Sequence, residues 1–526
     1  MRIAIPRERS SRERRVAATA DSVARLIKLG HEVVVEAGAG QAAGFTDQAY
    51  RDQGARIESD RETVWRTAQV VLKVRPPDDD ETGWLSGGTI LACYLQPAVS
   101  ADLLRKLAAR GVTALALDAV PRITRAQSMD TLSAMANIAG YRAVMEAALA
   151  FGRFLGGQTT AAGSVPPTRV LVIGAGVAGL AAVGAARKLG AVVRAFDTRE
   201  ACREQVQSLG GEFLTVDIAE SGEGGGGYAK EMSKEFIEAE YALFREQARE
   251  VDVVITTALI PGKPAPKLWL RDMVQTMKRG SVVVDLAAEM GGNCDLTVAD
   301  EAVVTDNGVT ILGYTDLASR MAGTASTLYA NVMVNLVKHL GGRDLAIDLD
   351  DEITRGMAVT HAGAVTWPPP APAAPPPPPA TEPESAATPA TERPRSRGWV
   401  PCVGLLIAAA WVLLRWRFGG PGQATGDEAQ AFVQHLTVFV MACFVGWHVI
   451  WNVTPALHTP LMAVTNAISG IIILGGLQQG SQPLWRTDGS IEPVAVFGLV
   501  AILLAMINVA GGFLVTQRML RMFRKD

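Results

Sequence analysis

RVLVIGAGVAGLAAVGAARKLGAVVRAFDTRE, residues 169–200, decides the fold of the segment around it. A short apolar run, Val170 to Ile173, leads straight into Gly174-Ala175-Gly176-Val177-Ala178-Gly179. An Ala-rich helical stretch follows, and then a second apolar run, Val192 to Asp197. Strand, glycine turn, helix and strand in that order form the phosphate-binding half of a dinucleotide fold. Gly174 serves the tight turn, Gly176 the approach of a pyrophosphate, and Gly179 the packing of helix on strand. The start of the helix offers unpaired N–H groups to phosphate oxygens. Asp197 stands 18 residues beyond Gly179. A carboxylate there accepts hydrogen bonds from ribose hydroxyls and repels a 2′-phosphate, so the pattern predicts NAD(H) rather than NADP(H). Arg199 argues the other way, because an arginine can pair with a 2′-phosphate. Thr198 lies between them and belongs to the same candidate site. The alternative is a Rossmann core that binds no nucleotide.

Outward from this stretch, β-branched runs alternate with helical ones from residue 1 to about 367. They include Val33 to Val35, Val70 to Val74, Thr89 to Tyr94, Val251 to Thr256 and Ser281 to Leu286. That alternation predicts an α/β fold with parallel sheets and crossover helices. A helical stretch of about Leu132 to Leu155 separates two batches of strands. Two doubly wound, Rossmann-like subdomains are expected: about 1–130 plus about 325–367, and about 140–325 with the glycine turn. Gly222 to Lys230 reads GEGGGGYAK. It predicts either a lid with Tyr228 at its tip or a plain loop, since consecutive glycines order at high entropic cost.

The composition changes sharply at residue 368. Twelve of the 28 prolines lie in 368–394, which predicts an extended linker over 368–397. Uncharged apolar stretches follow at 398–414, 429–485 and 493–517. Each membrane span needs about 20 residues, so four helices are expected near 400–418, 432–451, 461–479 and 494–515, making 398–526 a transmembrane region. Arg393, Arg395 and Arg397 precede the first span, and Arg518, Arg521, Arg524 and Lys525 follow the last. Basic flanks mark the cytoplasmic side, although Arg415 and Arg417 oppose this. His435, His448, His458, Asn452, Thr465 and Asn466 are the polar candidates in or beside the spans. The mean hydropathy of +0.18 agrees with membrane content, and the net charge of −3 does not suit a nucleic-acid binder. Five scattered cysteines with no CxxC pair predict neither a metal site nor a disulfide framework. The charged, strand-like N-terminus predicts no cleavable signal peptide.

Several further stretches are more specific. PRITRAQSMDTLSAMANIAGYRAV (121–144), AFDTR, GYAKEMS, TTALIPGKPAPKL, SVVVDLAAEMGGNC, WNVTPALHTPLMAVTNAISG and GGFLVTQRMLRMFRKD join the glycine turn in one pattern. Together they resemble proton-translocating nicotinamide nucleotide transhydrogenase, in its alpha subunit. The resemblance implies an alanine dehydrogenase-like pair of Rossmann subdomains binding NAD(H). It implies NADP(H) on a partner beta subunit, an alpha2beta2 assembly with dimeric NAD(H) domains, and contact with membrane lipid. It also implies a bacterial cell inner membrane location, with the N-terminal domain and C-terminus cytoplasmic. The activity implied is hydride transfer between NADH and NADP+, coupled to proton movement. The family's nucleotide loop maps onto Arg122, Gln127, Asp130 and Ser133, around the nicotinamide. Of these, Gln127, Asp130 and Arg122 are the candidate catalytic residues. Tyr228 matches the family's mobile-loop tyrosine. Read without the resemblance, Arg122 and Asp130 are more readily a solvated surface pair, and only the resemblance reverses that reading.

A membrane-tethered alanine dehydrogenase-like oxidoreductase is the alternative. It would need cations for a keto acid, and Arg15 and Lys73 stand at plausible positions. It would also need an acid/base histidine, where this chain reads Gln96, which cannot relay a proton at neutral pH.

Overall fold

Strands whose apolar residues run without alternation need cover on both faces. In Arg169–Ile173, Val170 and Val172 enter one buried cluster, and Leu171 and Ile173 enter another. The same split occurs near the N-terminus, where Ile3, Ile5, Val70 and Leu72 face one layer while Ala4 and Val71 face the opposite one. Each fully buried Val, Leu or Ile contributes about 1.5–3 kcal/mol. The computed structural model describes residues 1–218, 220, 222, 230, 232–259, 264–369, 469, 472–478 and 496–507. The chain divides into two units, Met1–Pro372 and Ala373–Asp526.

The first unit holds two large sheets. Edge to edge, the first runs Ala364–Val365, Ala358–His361, Thr113–Ala116, Ile90–Cys93, Val70–Leu72, Arg2–Ile5, Glu32–Glu36 and Arg56–Glu58. The second runs Glu212–Leu214, Val192–Phe196, Arg169–Ile173, Val253–Thr256, Val282–Asp285, Thr310–Leu312 and Ala302–Val304. Pairing is parallel apart from Ala358–His361 and Ala364–Val365 in the first sheet and Ala302–Val304 in the second. In both sheets the strand order reverses beside the first strand, so each is doubly wound, as the sequence predicts. Such a reversal opens a crevice at the C-terminal strand ends. The three-residue strands Arg56–Glu58, Glu212–Leu214, Ala302–Val304 and Thr310–Leu312 are too short to show a period.

One helix belongs to both cores. In α1 (Thr131–Phe151), Met135 and Ile138 pack in the first core, and Ala143, Val144, Ala147 and Phe151 pack in the second. The helix ends at Phe151 rather than at Leu155, the end that the sequence predicts. Gly152 takes φ +63 and its N–H donates to the Ala148 carbonyl at 3.2 Å, a left-handed stop. Midway along, α1 crosses α2 (Val177–Lys188). The crossing is so close that a Cβ on Gly140 would overlap the Ala178 carbonyl. The chain returns to the first core through α3 (Ala322–His339), which buries Ala325, Tyr329, Met333 and Val337 there.

In the second unit the described pieces 472–478 and 496–507 are helical and fall inside the expected spans 461–479 and 494–515. They touch at Gly476, where a Cβ would stand 2.7 Å from Ile502 and 3.0 Å from the Gly498 carbonyl. Small residues at helix contacts are common where lipid surrounds the pair. Leu474, Phe497, Leu503, Leu504 and Ile507 are all more than 60% exposed, which suits an apolar surrounding. Among the described residues no helix is long and apolar enough to cross a membrane. The expected spans 400–418 and 432–451, the bulk of the proline-rich linker, and His435, His448, His458, Asn452, Thr465 and Asn466 lie outside the described residues.

Gly140→Ala tests the helix crossing. Overpacking at a site that cannot yield costs about 1–3 kcal/mol. The variant is expected to melt several degrees lower and, because α2 must shift, to lose affinity for NADH. An unchanged melting temperature with unchanged NADH affinity would show that the crossing tolerates a methyl group.

Candidate functional site

Ile173 pairs with Phe196 on one side and Thr256 on the other, so the turn after it emerges at the crevice of the second sheet. Gly174 takes φ +96, and a Cβ there would stand 2.5 Å from Thr257 Oγ1. Its N–H donates to the Phe196 carbonyl at 2.8 Å. A Cβ on Gly179 would drive into the Gly174 carbonyl. Gly176 differs from both. It is the N-cap of α2 with no side-chain cap, and a Cβ there would meet only Arg199 Nη2, at 3.9 Å. The first turn of α2 carries no acidic residue. An open notch, uncapped amides and no opposing charge fit a pyrophosphate. Ala175 is buried, whereas Val177 is exposed at the mouth.

Asp197 follows the strand Val192–Phe196 and reaches back to this turn. Its Oδ2 accepts the Ala175 N–H at 2.7 Å. Arg199 donates to the same carboxylate from its backbone N–H at 2.9 Å, from Nε at 2.8 Å and from Nη2 at 2.7 Å. Hydrogen bonding to Asp197 raises the Arg199 pKa, so the guanidinium stays charged. Thr198 is tied to the glycine-rich loop, because its carbonyl accepts the Gly222 N–H at 3.1 Å. The Gly222 carbonyl accepts the Lys230 N–H at 3.0 Å, and Ser233 Oγ donates to Glu220 at 2.6 Å. The two ends of the loop are therefore anchored beside Asp197. Tyr228 lies outside the described residues.

Sequence reasoning missed four residues here. Thr257 Oγ1 donates to the Gly174 carbonyl at 2.9 Å and braces the turn. Asn293 is fully buried and staples the chain at Ala258: its Nδ2 donates to Ala258 O at 2.8 Å and to Pro266 O at 2.9 Å, and its Oδ1 accepts the Ala258 N–H at 3.1 Å. Asp285 is also fully buried, accepting from Thr256 Oγ1, Thr297 Oγ1 and the amides of Ala287 and Cys294. Glu240 is buried on the helix Lys234–Glu250. Burial, with the Asp197 charge adding to it, pushes its carboxyl up to about 7. A polar residue at or just past a strand end was the available signal for Thr257, which follows Val253–Thr256, and for Asp285, which closes Val282–Asp285. Nothing local marks Asn293 or Glu240.

The segment 122–133 sits at the N-terminus of α1. Thr124–Met129 forms a 3-10 turn that buries Ala126 and Met129. Asp130 caps α1, its carboxylate accepting the Ser133 N–H at 2.9 Å and Ser133 Oγ at 2.6 Å. Asp130 and Ser133 are thus brought together, and their spacing has a structural reason as well as a functional one. The turn is fixed from behind, since Asn335 Nδ2 of α3 donates to the Ser128 carbonyl at 2.9 Å. Gln127 and Arg122 are exposed. α1 therefore carries Gln127 beyond one end and holds the glycine turn against its middle.

The crevice of the first sheet is built differently. Arg15 is buried and forked onto Glu13 at 2.7 and 2.6 Å. Lys73 Nζ lies 2.7 Å from Glu8 Oε2 and 3.6 Å from Glu81 Oε2. Gln96, at φ +47, is held by Asp118, which accepts the Leu95 and Gln96 amides at 3.0 and 2.7 Å. Its Nε2 donates across the cleft to Glu289 at 3.2 Å. The two cations of the alternative reading are thus already matched by buried carboxylates.

Residues 4–139 match the N-terminal domain model of alanine dehydrogenase/PNT, and residues 143–368 match the C-terminal domain model. Residues 435–525 match the 4TM region of pyridine nucleotide transhydrogenase. The NAD(P) transhydrogenase subunit alpha of Cereibacter sphaeroides is 50% identical over 542 residues, covering 100% of both chains. A crystal structure of transhydrogenase from Sinorhizobium meliloti is 42% identical with a TM-score of 0.64, covering 69% of this chain and 100% of that one. The alanine dehydrogenase of Halomonas elongata is a more distant match, 33% identical over 70% of this chain and 95% of that one.

Glu240 makes a pH prediction. Its folded pKa, about 7, lies above the ordinary carboxylate value of 4.5. Between those values only the unfolded chain has released the proton, so stability falls as pH rises. One pKa unit is worth about 1.4 kcal/mol, and the whole effect is on the order of 1–3 kcal/mol. Glu240→Gln is expected to remove this decline, leaving the variant more stable than the parent at pH 8 and little changed at pH 4.5. Parallel pH–melting profiles for the two proteins would contradict it.

Proposed function

The chain belongs to the alanine dehydrogenase/pyridine nucleotide transhydrogenase family, among its NAD(P) transhydrogenase alpha subunits, and on that premise we propose how its residues divide the work. The chain is an oxidoreductase subunit associated with the membrane. The observation that carries the proposal is the single glycine turn with Asp197 behind it. The first sheet has no counterpart: after Arg2–Ile5 the chain reads Pro6-Arg7-Glu8, and the Glu8 carboxylate is buried on Lys73. No glycine turn opens a notch for a pyrophosphate there, and Lys73 is already matched by Glu8. The described part of the chain thus offers one dinucleotide site, which supports placing NADP(H) on a beta subunit.

Residues 1–367 are assigned to NAD(H) binding, 368–397 to a linker and 398–526 to the membrane. Within the first, about 1–130 and about 325–367 form one subdomain, and about 140–325 forms the other. The backbone of Gly174 to Gly179 would hold the pyrophosphate and Asp197 the adenosine ribose. Thr198 and Arg199 flank the ribose, and Tyr228 would close over the nucleotide. Arg122, Gln127, Asp130 and Ser133 would surround the nicotinamide. When bound, NADH supplies the hydride, which leaves its C4 for C4 of NADP+ with its electron pair, so no side chain need accept a proton.

The residues therefore position groups rather than titrate them. Gln127 is exposed, and its amide has no pKa in the working range, so it can only orient partners by hydrogen bonds. Its exposure suits a group that meets a second protein surface. Asp130 spends its carboxylate on Ser133 and on the cap, which holds that end of α1 steady beneath Gln127.

Dimeric NAD(H) domains within an alpha2beta2 assembly are supported by the hairpin Gln158–Thr160 with Gly163–Val165, exposed along both strands. A lone two-stranded hairpin is marginal in water, and Leu149 and Phe154, just before it, are 79% and 59% exposed. The basic flanks of the apolar region support both ends lying on the cytoplasmic side, and a bacterial inner membrane is what the resemblance implies.

The alpha chain alone is expected to bind NADH without passing hydride to NADP+, and adding the beta subunit should start the reaction. Gln127→Asn keeps the amide and shortens its reach. A misplacement of about 1 Å can cost on the order of a hundredfold in rate, so a large loss of hydride transfer is expected with a much smaller loss of NADH affinity. Titration and stopped-flow transfer on one preparation test both points. Affinity and rate falling in equal proportion would make Gln127 a simple binding residue. Turnover by the alpha chain alone would place a second nucleotide site on it.

A further inference from the structure

Asp197, to which the adenosine ribose is assigned above, is already fully engaged. Oδ1 accepts the Arg199 backbone N–H at 2.9 Å and Nε at 2.8 Å, and Oδ2 accepts the Ala175 N–H and Arg199 Nη2, each at 2.7 Å. An ionised carboxylate has about four acceptor positions, and all four are used. The two backbone donors belong to the fold, since they tie the tip of one strand to the turn after its neighbour. The two guanidinium donors sit on a side chain that can rotate. The Arg199 side chain is 19% exposed, against 5% for Asp197, so it lies on the solvent side of the pair. Its Nη2 also borders the notch left by Gly176. The fork covers the carboxylate where a nucleotide must enter.

We propose that Arg199 selects the cofactor by standing in for the ribose diol: it fills two acceptor positions of Asp197 in the empty site and yields them to two hydroxyl donors. This rests on the assignment of NAD(H) to the Gly174–Gly179 turn.

A ribose with free 2′- and 3′-hydroxyls replaces the two guanidinium bonds one for one. The carboxylate stays satisfied throughout, and Arg199 is released toward the rim. A 2′-phosphorylated ribose brings only one of those hydroxyls and adds negative charge. It leaves one acceptor unmatched and sets phosphate against carboxylate, with the displaced Arg199 as a nearby cation to offset it. Arg199 therefore acts on the two nucleotides in opposite directions: it competes with NADH for Asp197 and offers NADPH a partner. Asp197 sets the preference, and Arg199 limits how strong that preference becomes.

The test uses the purified full-length chain in detergent, titrated with NADH and with NADPH, as the parent, Arg199→Ala and Arg199→Lys. Loss of a charge-assisted partner of this kind is worth about tenfold or more in affinity. Arg199→Ala is expected to raise the ratio of the NADPH Kd to the NADH Kd by about that factor, with the NADH Kd lower than the parent's. Lysine keeps the charge but cannot fork onto both oxygens, so Arg199→Lys should bind NADH as well as or better than the parent and give an intermediate ratio. Equal weakening of both nucleotides by Arg199→Ala would overturn the proposal and make Arg199 a general support for Asp197 or for the phosphates. An unchanged ratio would overturn it too. If the alanine variant shows no thermal transition, the lysine variant decides alone, and its ratio must exceed the parent value. Failure of the parent to bind NADH at all would instead refute the nucleotide site itself.

Discussion

The Ala175 amide donates to Asp197 Oδ2 at 2.7 Å, and much of the candidate site depends on that bond. It fixes the tip of the second strand against the turn after the first. Gly174 can then enter its left-handed conformation and Gly176 can face outward with its notch open. Behind the turn, Thr257 braces the Gly174 carbonyl, and Asn293 holds the next strand's exit at Ala258. In front of it, Thr198 anchors the base of the glycine-rich loop. One carboxylate thus joins the strand ends, the phosphate turn and the loop, and it is also the group proposed to read the ribose. A negative charge serving both purposes is safe only while it is matched, which is the physical reason for a forked arginine two residues away.

The close crossing of α1 and α2 extends this order over a longer distance. Gly140 lets α1 touch the first turn of α2 backbone to backbone, and the same helix begins at Asp130 in the nucleotide loop. The residues proposed for opposite reaches of the dinucleotide are thereby referred to one helix, and that helix is shared by both cores. A displacement at Gly140 would therefore move the glycine turn relative to Gln127.

The parts legible in sequence were those whose physics is local. A glycine turn between an apolar strand and an Ala-rich helix, and a carboxylate at the end of the next strand, are read from nearest neighbours. So are strands covered on both faces, because they lack alternation. The three-residue edge strands were not legible, since pairing partners rather than periodicity define them. Asn293 and Glu240 were not legible either, for their roles exist only after distant segments meet. The resemblance supplied Gln127 and Arg122, which bare composition reads as surface. For Asp130 and Ser133 the structure adds a second reason, the helix cap, that the sequence reading had not separated from nucleotide binding. In the first sheet Arg15 and Lys73 looked available for an acid substrate, but Glu13 and Glu8 already hold them. Gln96 occupies the acid/base position, and the transhydrogenase relatives match more of the chain at higher identity than the alanine dehydrogenases do.

The central claim is that this chain takes NAD(H) and that Asp197 is the group that chooses it. The most direct measurement is equilibrium titration of NADH and NADPH against the parent and Asp197→Asn. The account predicts that the parent binds NADH well and NADPH poorly, and that the substitution weakens NADH while narrowing the difference between the two. Equal affinity of the parent for both nucleotides, or a substitution that leaves the preference intact, would contradict it.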